Sequence, residues 1–243
     1  MPNQAFLSMI SMRRYIAPVD PSQIPVLLDC QALWIRNFTG WTTGEDCATA
    51  EGLQCDSNGM IVKMSMEMSS LAGVLPSSIG NLTLLTHLNF FQNNLDSDIP
   101  TTFGALTNLQ HLNLGINMLT GPLPLFLDTL SLLTFLNLGD NKLTGTLSAG
   151  LGNLKQLQFL DLSKNNVSAS LPSTLGSLST LTWLYVAHSP SHGCTLLTLP
   201  HMAVRCSLSL TWLYVAHSPS HGCTLLTLPH MAVRCSLSLT SSS

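Results

Sequence analysis

A fixed spacing of apolar and polar positions runs through the middle of the chain. Leu112 and Leu114 illustrate apolar residues at alternate positions, the two-residue period of a strand with one buried face. An asparagine follows three residues after Leu114 and recurs every 24 residues without insertion. The recurring residues are Asn93, Asn117, Asn141 and Asn165. A constant period in the range of about 20 to 29 residues predicts a solenoid in which each copy adds one strand to a parallel sheet.

The residues between strands predict how each copy returns to the start of the next. The asparagine amide both donates and accepts hydrogen bonds, so we expect it to satisfy backbone groups in the turn that leaves the strand. A proline such as Pro124 then precedes a segment suited to a short helical or irregular path on the convex side. Ser69 replaces the asparagine of the first copy, and Ser148 replaces the proline of the fourth. Six strands are expected between residues 61 and 186.

Motifs in the same copies resemble those of the plant-type leucine-rich-repeat proteins. Residues 119–124 read Leu-Thr-Gly-Pro-Leu-Pro, residues 143–147 read Leu-Thr-Gly-Thr-Leu, and residues 80–83 read Gly-Asn-Leu-Thr. The resemblance covers about residues 61–186. That family includes ectodomains of receptor-like kinases and receptor-like proteins, and secreted inhibitors of cell-wall enzymes. It implies an α/β solenoid, a right-handed superhelix with a parallel β-sheet on the concave face and an N-terminal helical cap.

Residues 25–60 resemble the cap that precedes the first repeat in this family. The resemblance implies a disulfide between Cys47 and Cys55, and therefore an oxidising compartment. Cys30 has no obvious partner, and an odd count of seven cysteines leaves at least one unpaired within a monomer. We predict a helix with Asp29 near its start. Its apolar face is formed by Leu27, Leu28, Ala32, Leu33, Trp34 and Ile35.

The two ends of the chain depart from the repeat pattern. Residues 1–24 form a poorly defined segment whose short apolar stretch precedes Arg13 and Arg14, the reverse of a secretory signal. Residues 187–243 form a tail without Asp, Glu, Lys, Asn, Gln, Phe or Ile. Residues 181–211 recur identically at residues 210–240. An identity that includes positions no fold constrains indicates a recent duplication or a gene-model artefact, so we expect the tail to be disordered or artefactual.

Composition and motifs exclude several classes of function. Only 9% of residues are charged and the net charge is −3, which argues against nucleic acid as a partner. No apolar run of about 20 residues encodes a membrane-spanning helix. No catalytic constellation or cofactor motif appears, so we predict no enzyme activity, no catalytic residues and no cofactor. The histidines and cysteines of the tail lack zinc-ligand spacing, so we predict no metal site.

Outward-facing positions of the predicted sheet are the candidate binding site. Side chains there are not needed for folding, and solenoids commonly bind through this surface. Ring-bearing residues form one column and amides form the next, a combination suited to peptide or sugar ligands. A second interpretation is that the rings only stack on one another along the strands. The candidate residues are His87, Asn89, Phe91, His111, Asn113, Phe135, Asn137, Phe159, Asp161, Trp183 and Tyr185.

These observations favour a non-catalytic recognition module that binds a peptide, protein or glycan. By resemblance it is extracellular or at the cell surface, and a narrower form of this hypothesis is a secreted inhibitor of a cell-wall-degrading enzyme. Two competing hypotheses are an intracellular scaffold in the cytoplasm and a non-functional, truncated gene product. Three triplets match the N-glycosylation signal, beginning at Asn37, Asn81 and Asn166, and their occupancy depends on secretion.

Overall fold

The computed structural model describes residues 18–34, 41, 47, 50–167 and 172–186, together with the backbone of residues 203–205. One α-helix, ten strands and five short 3₁₀ helices are defined in this part of the chain. The helix is α1 (Ile24–Leu33). The strands are β1 (Leu53–Cys55), β2 (Ile61–Ser65), β3 (Ala72–Gly73), β4 (His87–Asn89), β5 (Asn94–Leu95), β6 (His111–Asn113), β7 (Phe135–Asn137), β8 (Phe159–Leu162), β9 (Trp183–Val186) and β10 (Ala203–Arg205).

The main sheet has the order β1-β2-β4-β6-β7-β8-β9-β10. The six central strands are the six predicted from the repeat, and all of them pair in parallel. At one edge β1 pairs antiparallel with β2, and at the other β10 pairs in parallel with β9. The predicted leucine-rich-repeat solenoid with a parallel sheet is therefore confirmed.

The return path of each copy is a 3₁₀ helix, the first of the two possibilities, helical or irregular, that the sequence left open. Each begins one residue after the proline position of its repeat, where proline holds the extended backbone that precedes the helix. At Ser148 the hydroxyl instead accepts the N–H of Gly150 at 3.0 Å and caps the helix. The five helices are Ser77–Asn81, Thr101–Ala105, Leu125–Thr129, Ala149–Asn153 and Ser173–Ser177.

A second, smaller sheet was not predicted. Strands β3 and β5 pair in parallel shortly after the turns of the first two repeats. In later repeats, isolated bridges join Asp98 to Thr120 and Pro122 to Thr144, one residue beyond the equivalents of the β3–β5 pairs. Two-residue strands have no detectable alternation, so the hydrophobic pattern alone carries no sign of them.

The asparagines connect each copy to the one before it. Asn141 Nδ2 donates to the carbonyl of Leu114 at 3.0 Å and to that of Leu138 at 3.1 Å, while its Oδ1 accepts the N–H of Leu119 at 2.9 Å. Asn93, Asn117 and Asn165 make the equivalent contacts. The predicted role of these amides in satisfying backbone groups is confirmed, and the contacts cross between repeats.

The residue before each asparagine position adopts a left-handed backbone conformation. Its φ lies between 52° and 56° in five successive copies, although none of the five is glycine. This conformation is costly for side chains with a Cβ, most of all for a β-branched residue such as Ile116. The five residues are Met68, Gln92, Ile116, Asp140 and Lys164.

Replacing Ile116 by asparagine should therefore stabilise the protein. Ile116 has φ of 55° and an exposed side chain, so the substitution relieves backbone strain and removes little buried apolar surface. We expect the free energy of unfolding in urea to rise by about 1 kcal/mol. Lys142→Asn, at an exposed position outside this column, is the control and should change it little. A fall in stability on Ile116→Asn would contradict the strain argument.

The N-terminal segment contains the predicted helix and disulfide. Helix α1 buries Val26, Leu27 and Cys30 against the core of the first repeats. The aromatic ring of Trp34 packs edge-on against Phe90, with centroids 5.4 Å apart. A disulfide joins Cys47 to Cys55, as the family resemblance implied. That this segment caps the solenoid remains a prediction.

The predicted face of that helix was partly wrong. Leu28, Ala32 and Leu33 are exposed, while Val26 and Cys30, which were not assigned to the face, are buried. Asp29 lies in the middle of the helix rather than near its start. The helix is apolar on most sides, so it has no distinct stripe from which its orientation could be read. Ile35 lies outside the described residues.

The remaining predictions about the ends of the chain lie largely outside the described residues. Residues 1–17 are not described, so the N-terminal segment and its signal character remain predictions. Of the tail at residues 187–243, only the backbone of β10 is described. Among the described residues, no helix has the length and apolarity needed to cross a membrane.

Candidate recognition surface on the concave sheet

Strand register places the predicted outward residues in straight columns. The first column, which we call the ring column, aligns Lys63, His87, His111, Phe135, Phe159 and Trp183 across the six central strands. The second, the amide column, aligns Ser65, Asn89, Asn113, Asn137, Asp161 and Tyr185. Between the columns, Met64 of β2 and one leucine of each of the other five strands point inward and are buried. The two columns therefore lie on a rigid core that does not depend on them.

The rings of the first column stack on one another. The centroids of His87 and His111 are 5.6 Å apart, those of His111 and Phe135 4.2 Å, and those of Phe135 and Phe159 4.4 Å. The planes of these pairs are inclined by 17°, 11° and 8°. Phe159 also contacts Tyr185 of the second column at 5.7 Å. Parallel strands hold equivalent residues close to the stacking distance of aromatic rings, so the stack follows from the repeat.

The amide column retains hydrogen-bonding groups on its outer side. The Oδ1 atoms of Asn113 and Asn137 accept the N–H of Gly115 and Gly139 at 3.3 and 2.9 Å. A Cβ on Gly139 would lie 2.8 Å from the carboxyl group of Asp161, so glycine leaves room for the side chain of the next copy. The Nδ2 groups of Asn113 and Asn137 have no hydrogen-bond partner among the described residues. Both amides can therefore donate to a ligand.

A cleft opens at the N-terminal end of the concave face. Strand β1 forms one wall, and strands β2, β4 and β6 form the floor. Its volume is about 550 Å³, within the range of small-ligand and peptide-side-chain pockets. It is lined by Ala50, Glu51, Gly52, Leu53, Gln54, Lys63, Ser65, His87, Asn89 and His111.

Burial and nearby positive charge disfavour protonation of the two histidines. The pKa of His87 is lowered by partial burial and by the ammonium group of Lys63. The pKa of His111 is lowered by burial first, then by His87 and Lys63. The unfolded chain therefore takes up protons before the folded one, so these histidines reduce stability as pH falls below about 6.5. At neutral pH both rings are uncharged and stack without repulsion.

Seven of the ten cleft residues were not predicted as site residues, among them Glu51, Gln54 and Lys63. Gln54 lies on the antiparallel strand β1 and Glu51 lies just before it, in a segment that has no counterpart in the repeats. Lys63 was not predicted as a site residue, because its place in the cleft depends on that wall. The pairing of Gln54 with Lys63 places them side by side.

The remaining predicted positions are only partly described. Phe91 is half-buried beside the amide column, and Trp183 is exposed at the far end of the ring column. Asn81 and Asn166 are exposed, as glycosylation requires, whereas Asn37 and Ser168 lie outside the described residues. Across the described ranges, no group of three His, Cys, Asp or Glu side chains is arranged to hold a metal ion.

Comparisons with known proteins agree with this geometry. The Leucine Rich Repeat family model matches residues 84–106, 132–154 and 156–178. The fold is similar to the ectodomain of the receptor kinase SOBIR1 from Arabidopsis thaliana, with 25% identity, a TM-score of 0.60, and coverage of 68% of this chain and 90% of that one. No curated protein sequence matches significantly.

Two further structures extend the comparison. One is the Arabidopsis receptor kinase HAESA in complex with the peptide hormone IDA and the co-receptor SERK1, with 25% identity and a TM-score of 0.63. The match covers 70% of this chain and 30% of HAESA. The second is a plant ice-binding protein, with 27% identity, a TM-score of 0.65, and coverage of 78% of this chain and 58% of that one.

Period, sheet register and family match together define the class of the fold: the chain contains a leucine-rich-repeat solenoid. Its repeats are of the plant type. Its fold resembles those of plant receptor-kinase ectodomains.

Proposed function

We propose that this protein is a non-catalytic recognition module that binds a peptide or protein segment on its concave face, outside the cell. The ring column carries the proposal: from His87 to Phe159, four rings stack in line on the outer face of the sheet. Such a surface offers apolar contact area at low conformational cost, and the neighbouring amides add directional hydrogen bonds. The disulfide between Cys47 and Cys55 supports an extracellular setting.

The similar structures support the same assignment by analogy. HAESA was crystallised with a peptide hormone and a co-receptor protein. Because the match covers 30% of HAESA, its ligand and co-receptor are not transferred to this chain. What the comparison supports is the class of partner, a peptide or a protein. Binding of glycans remains a separate prediction.

Substituting serine for both Phe135 and Phe159 tests the proposal. Peptides selected from a random display library on the purified wild-type chain provide the ligands. We expect the double substitution to weaken their binding about tenfold or more, because aromatic anchors dominate such interfaces. The dissociation constants can be measured by fluorescence polarisation.

A matched control separates loss of the surface from loss of the fold. Leu125 is 74% exposed in the 3₁₀ helix Leu125–Thr129, on the return path rather than on the concave sheet. Leu125→Ser should leave peptide affinity unchanged, and circular dichroism should show both variants folded. Selected peptides that bind the double variant as tightly as the wild type would refute binding through the ring column.

A further inference from the structure

The cleft at the N-terminal end of the concave face contains an unpaired cation. Lys63 lies on its floor, beside Gln54 and in register with His87. Among the described residues the only salt bridge joins Lys164 to Asp140, and Lys63 has no hydrogen-bond partner there. The ammonium group is therefore a free donor in a partly enclosed site.

The hydrogen bonds of Thr86 determine which nitrogen of neutral His87 carries its proton. The Thr86 hydroxyl donates its single proton to the carbonyl of Val62 at 2.8 Å. Its oxygen also lies 2.8 Å from Nδ1 of His87, and while the hydroxyl donates to Val62 it can only accept a proton from that nitrogen. In this arrangement neutral His87 has a bare Nε2, which accepts rather than donates. Only protonation turns this nitrogen into a donor.

Two of the acidic groups near the cleft already accept hydrogen bonds, and a third lines the cleft itself. Glu67 follows β2 and accepts a hydrogen bond from Asn89 through Oε2 at 3.2 Å. Glu51 lines the cleft from the segment just before β1. Asp161, on β8, accepts hydrogen bonds from the backbone and side chain of Ser163. The ring column thus begins with three nitrogen bases, at Lys63, His87 and His111, and no carboxylate.

We infer that this end of the cleft is a carboxylate-binding subsite, in which Lys63 and the outer nitrogen of His87 hold the side chain of an acidic residue in the ligand. The inference rests on the proposed function in taking the ligand to be a peptide. Lys63 supplies a permanent charge, and His87 becomes the second donor by taking up a proton as the carboxylate arrives. His111 stacks on His87 and adds positive charge when it too is protonated.

Carboxylate binding should therefore strengthen as pH falls. Burial and Lys63 lower the pKa of free His87, so at pH 7.5 its Nε2 lone pair faces the ligand. A bound carboxylate raises that pKa, and by linkage affinity increases as pH falls through and below the ordinary histidine pKa of about 6.5. A glutamate side chain, with a pKa of about 4.3, remains ionised at pH 5.5.

Two capped tripeptides test the subsite, acetyl-Gly-Glu-Gly-amide and its uncharged match acetyl-Gly-Gln-Gly-amide. Binding to the full chain can be followed by NMR through the imidazole Cε1 protons, assigned with His87→Gln and His111→Gln. We expect the Glu peptide to bind about tenfold more tightly at pH 5.5 than at pH 7.5, with no comparable change for the Gln peptide. The matched variants are Lys63→Met in the cleft and Lys142→Met at an exposed position remote from it.

The expected result is that Lys63→Met abolishes the preference for the Glu peptide, that His87→Gln removes most of its pH dependence, and that Lys142→Met changes neither. Equal binding of the two peptides, or a preference that survives Lys63→Met, would overturn the subsite. The serine variant of Phe135 and Phe159 reports separately on the proposed function. If the binding of library peptides depends on the two phenylalanines but shows no preference for glutamate, the proposed function stands and the carboxylate subsite is refuted. If the preference for glutamate depends on Lys63 but binding does not depend on the two phenylalanines, the subsite stands and binding through the ring column is refuted.

Discussion

Asn141→Asp should lower the free energy of unfolding by about 3 to 5 kcal/mol, the cost of an uncompensated buried charge. The amide nitrogen of Asn141 points at three carbonyl oxygens, those of Leu114, Leu138 and Gly139, at 3.0 to 3.3 Å. A carboxylate oxygen in its place cannot donate to any of them and is repelled by all three. The loss can be measured by urea denaturation at pH 7.5.

The pH dependence of this variant provides an internal check. The three carbonyls disfavour the ionised carboxylate, so its pKa is higher in the folded than in the unfolded chain. The folded variant then binds more protons, and its stability increases as pH falls toward the unfolded-state value of about 3.9. The difference in the free energy of unfolding between wild type and variant should therefore become smaller as pH is lowered from 7.5 to 4.5.

An exposed asparagine at the end of a return helix supplies the control. Asn153→Asp lies on the solvent side of the fourth 3₁₀ helix and should change stability by less than about 0.5 kcal/mol. If Asn141→Asp changed the free energy of unfolding as little as Asn153→Asp does, the hydrogen bonds between copies would contribute little to stability.

The second large effect is expected at the glycine that allows adjacent return helices to pack closely. A Cβ on Gly152 would lie 2.6 Å from the carbonyl oxygen and 2.7 Å from the Cβ of Thr174 in the next copy. Because one of these atoms belongs to the backbone, the clash cannot be relieved by a rotamer change alone. Gly152→Asp should destabilise the protein by about 2 to 3 kcal/mol in urea.

The preceding copy shows how the same position accommodates a side chain. Asp128 is the equivalent of Gly152 one copy earlier. The residue that faces Asp128 is Gly150, the equivalent of Thr174, which faces Gly152. A Cβ on Gly150 would collide with Asp128, so these two residues compensate each other. Asp128 also accepts the hydroxyl proton of Ser148 at 2.5 Å.

Transferring this pairing gives a double-mutant cycle. Thr174→Gly in the Gly152→Asp background should restore part of the lost stability, while Thr174→Gly alone should be mildly destabilising. The coupling energy should be about 1 kcal/mol in favour of the double variant. Additive effects would show that the two positions do not compensate each other.

The sequence predicted the side-chain columns of the repeats and missed the wall of the cleft and the backbone conformation of the turns. Ring and amide columns follow from a strict period, because every strand has the same register and equivalent residues must align. Strand β1 is three residues long and is not repeated, so nothing in the sequence placed Glu51 and Gln54 beside the column. The left-handed residue in each turn was also missed, since non-glycine residues such as Lys164 give no sign of it.

The misassigned helix face has a different cause. Helix α1 has apolar residues on most sides, and Leu28 and Leu33 are exposed although they are as hydrophobic as the buried Leu27. Which side packs is decided by tertiary contacts such as the hydrogen bond from Ser78 to Asp29. Periodicity describes a segment in isolation and does not include such contacts.

The asparagine contacts also determine how this protein can change length over evolutionary time. Within the described repeats, the contacts that cross between copies join residues 22 to 27 apart in the chain. Each copy therefore depends only on its nearest neighbours. Loss or gain of a 24-residue copy in frame therefore rejoins chemically equivalent surfaces. The concave face can lengthen or shorten by one strand at a time, and a new ligand can be accommodated without redesign of the remaining copies.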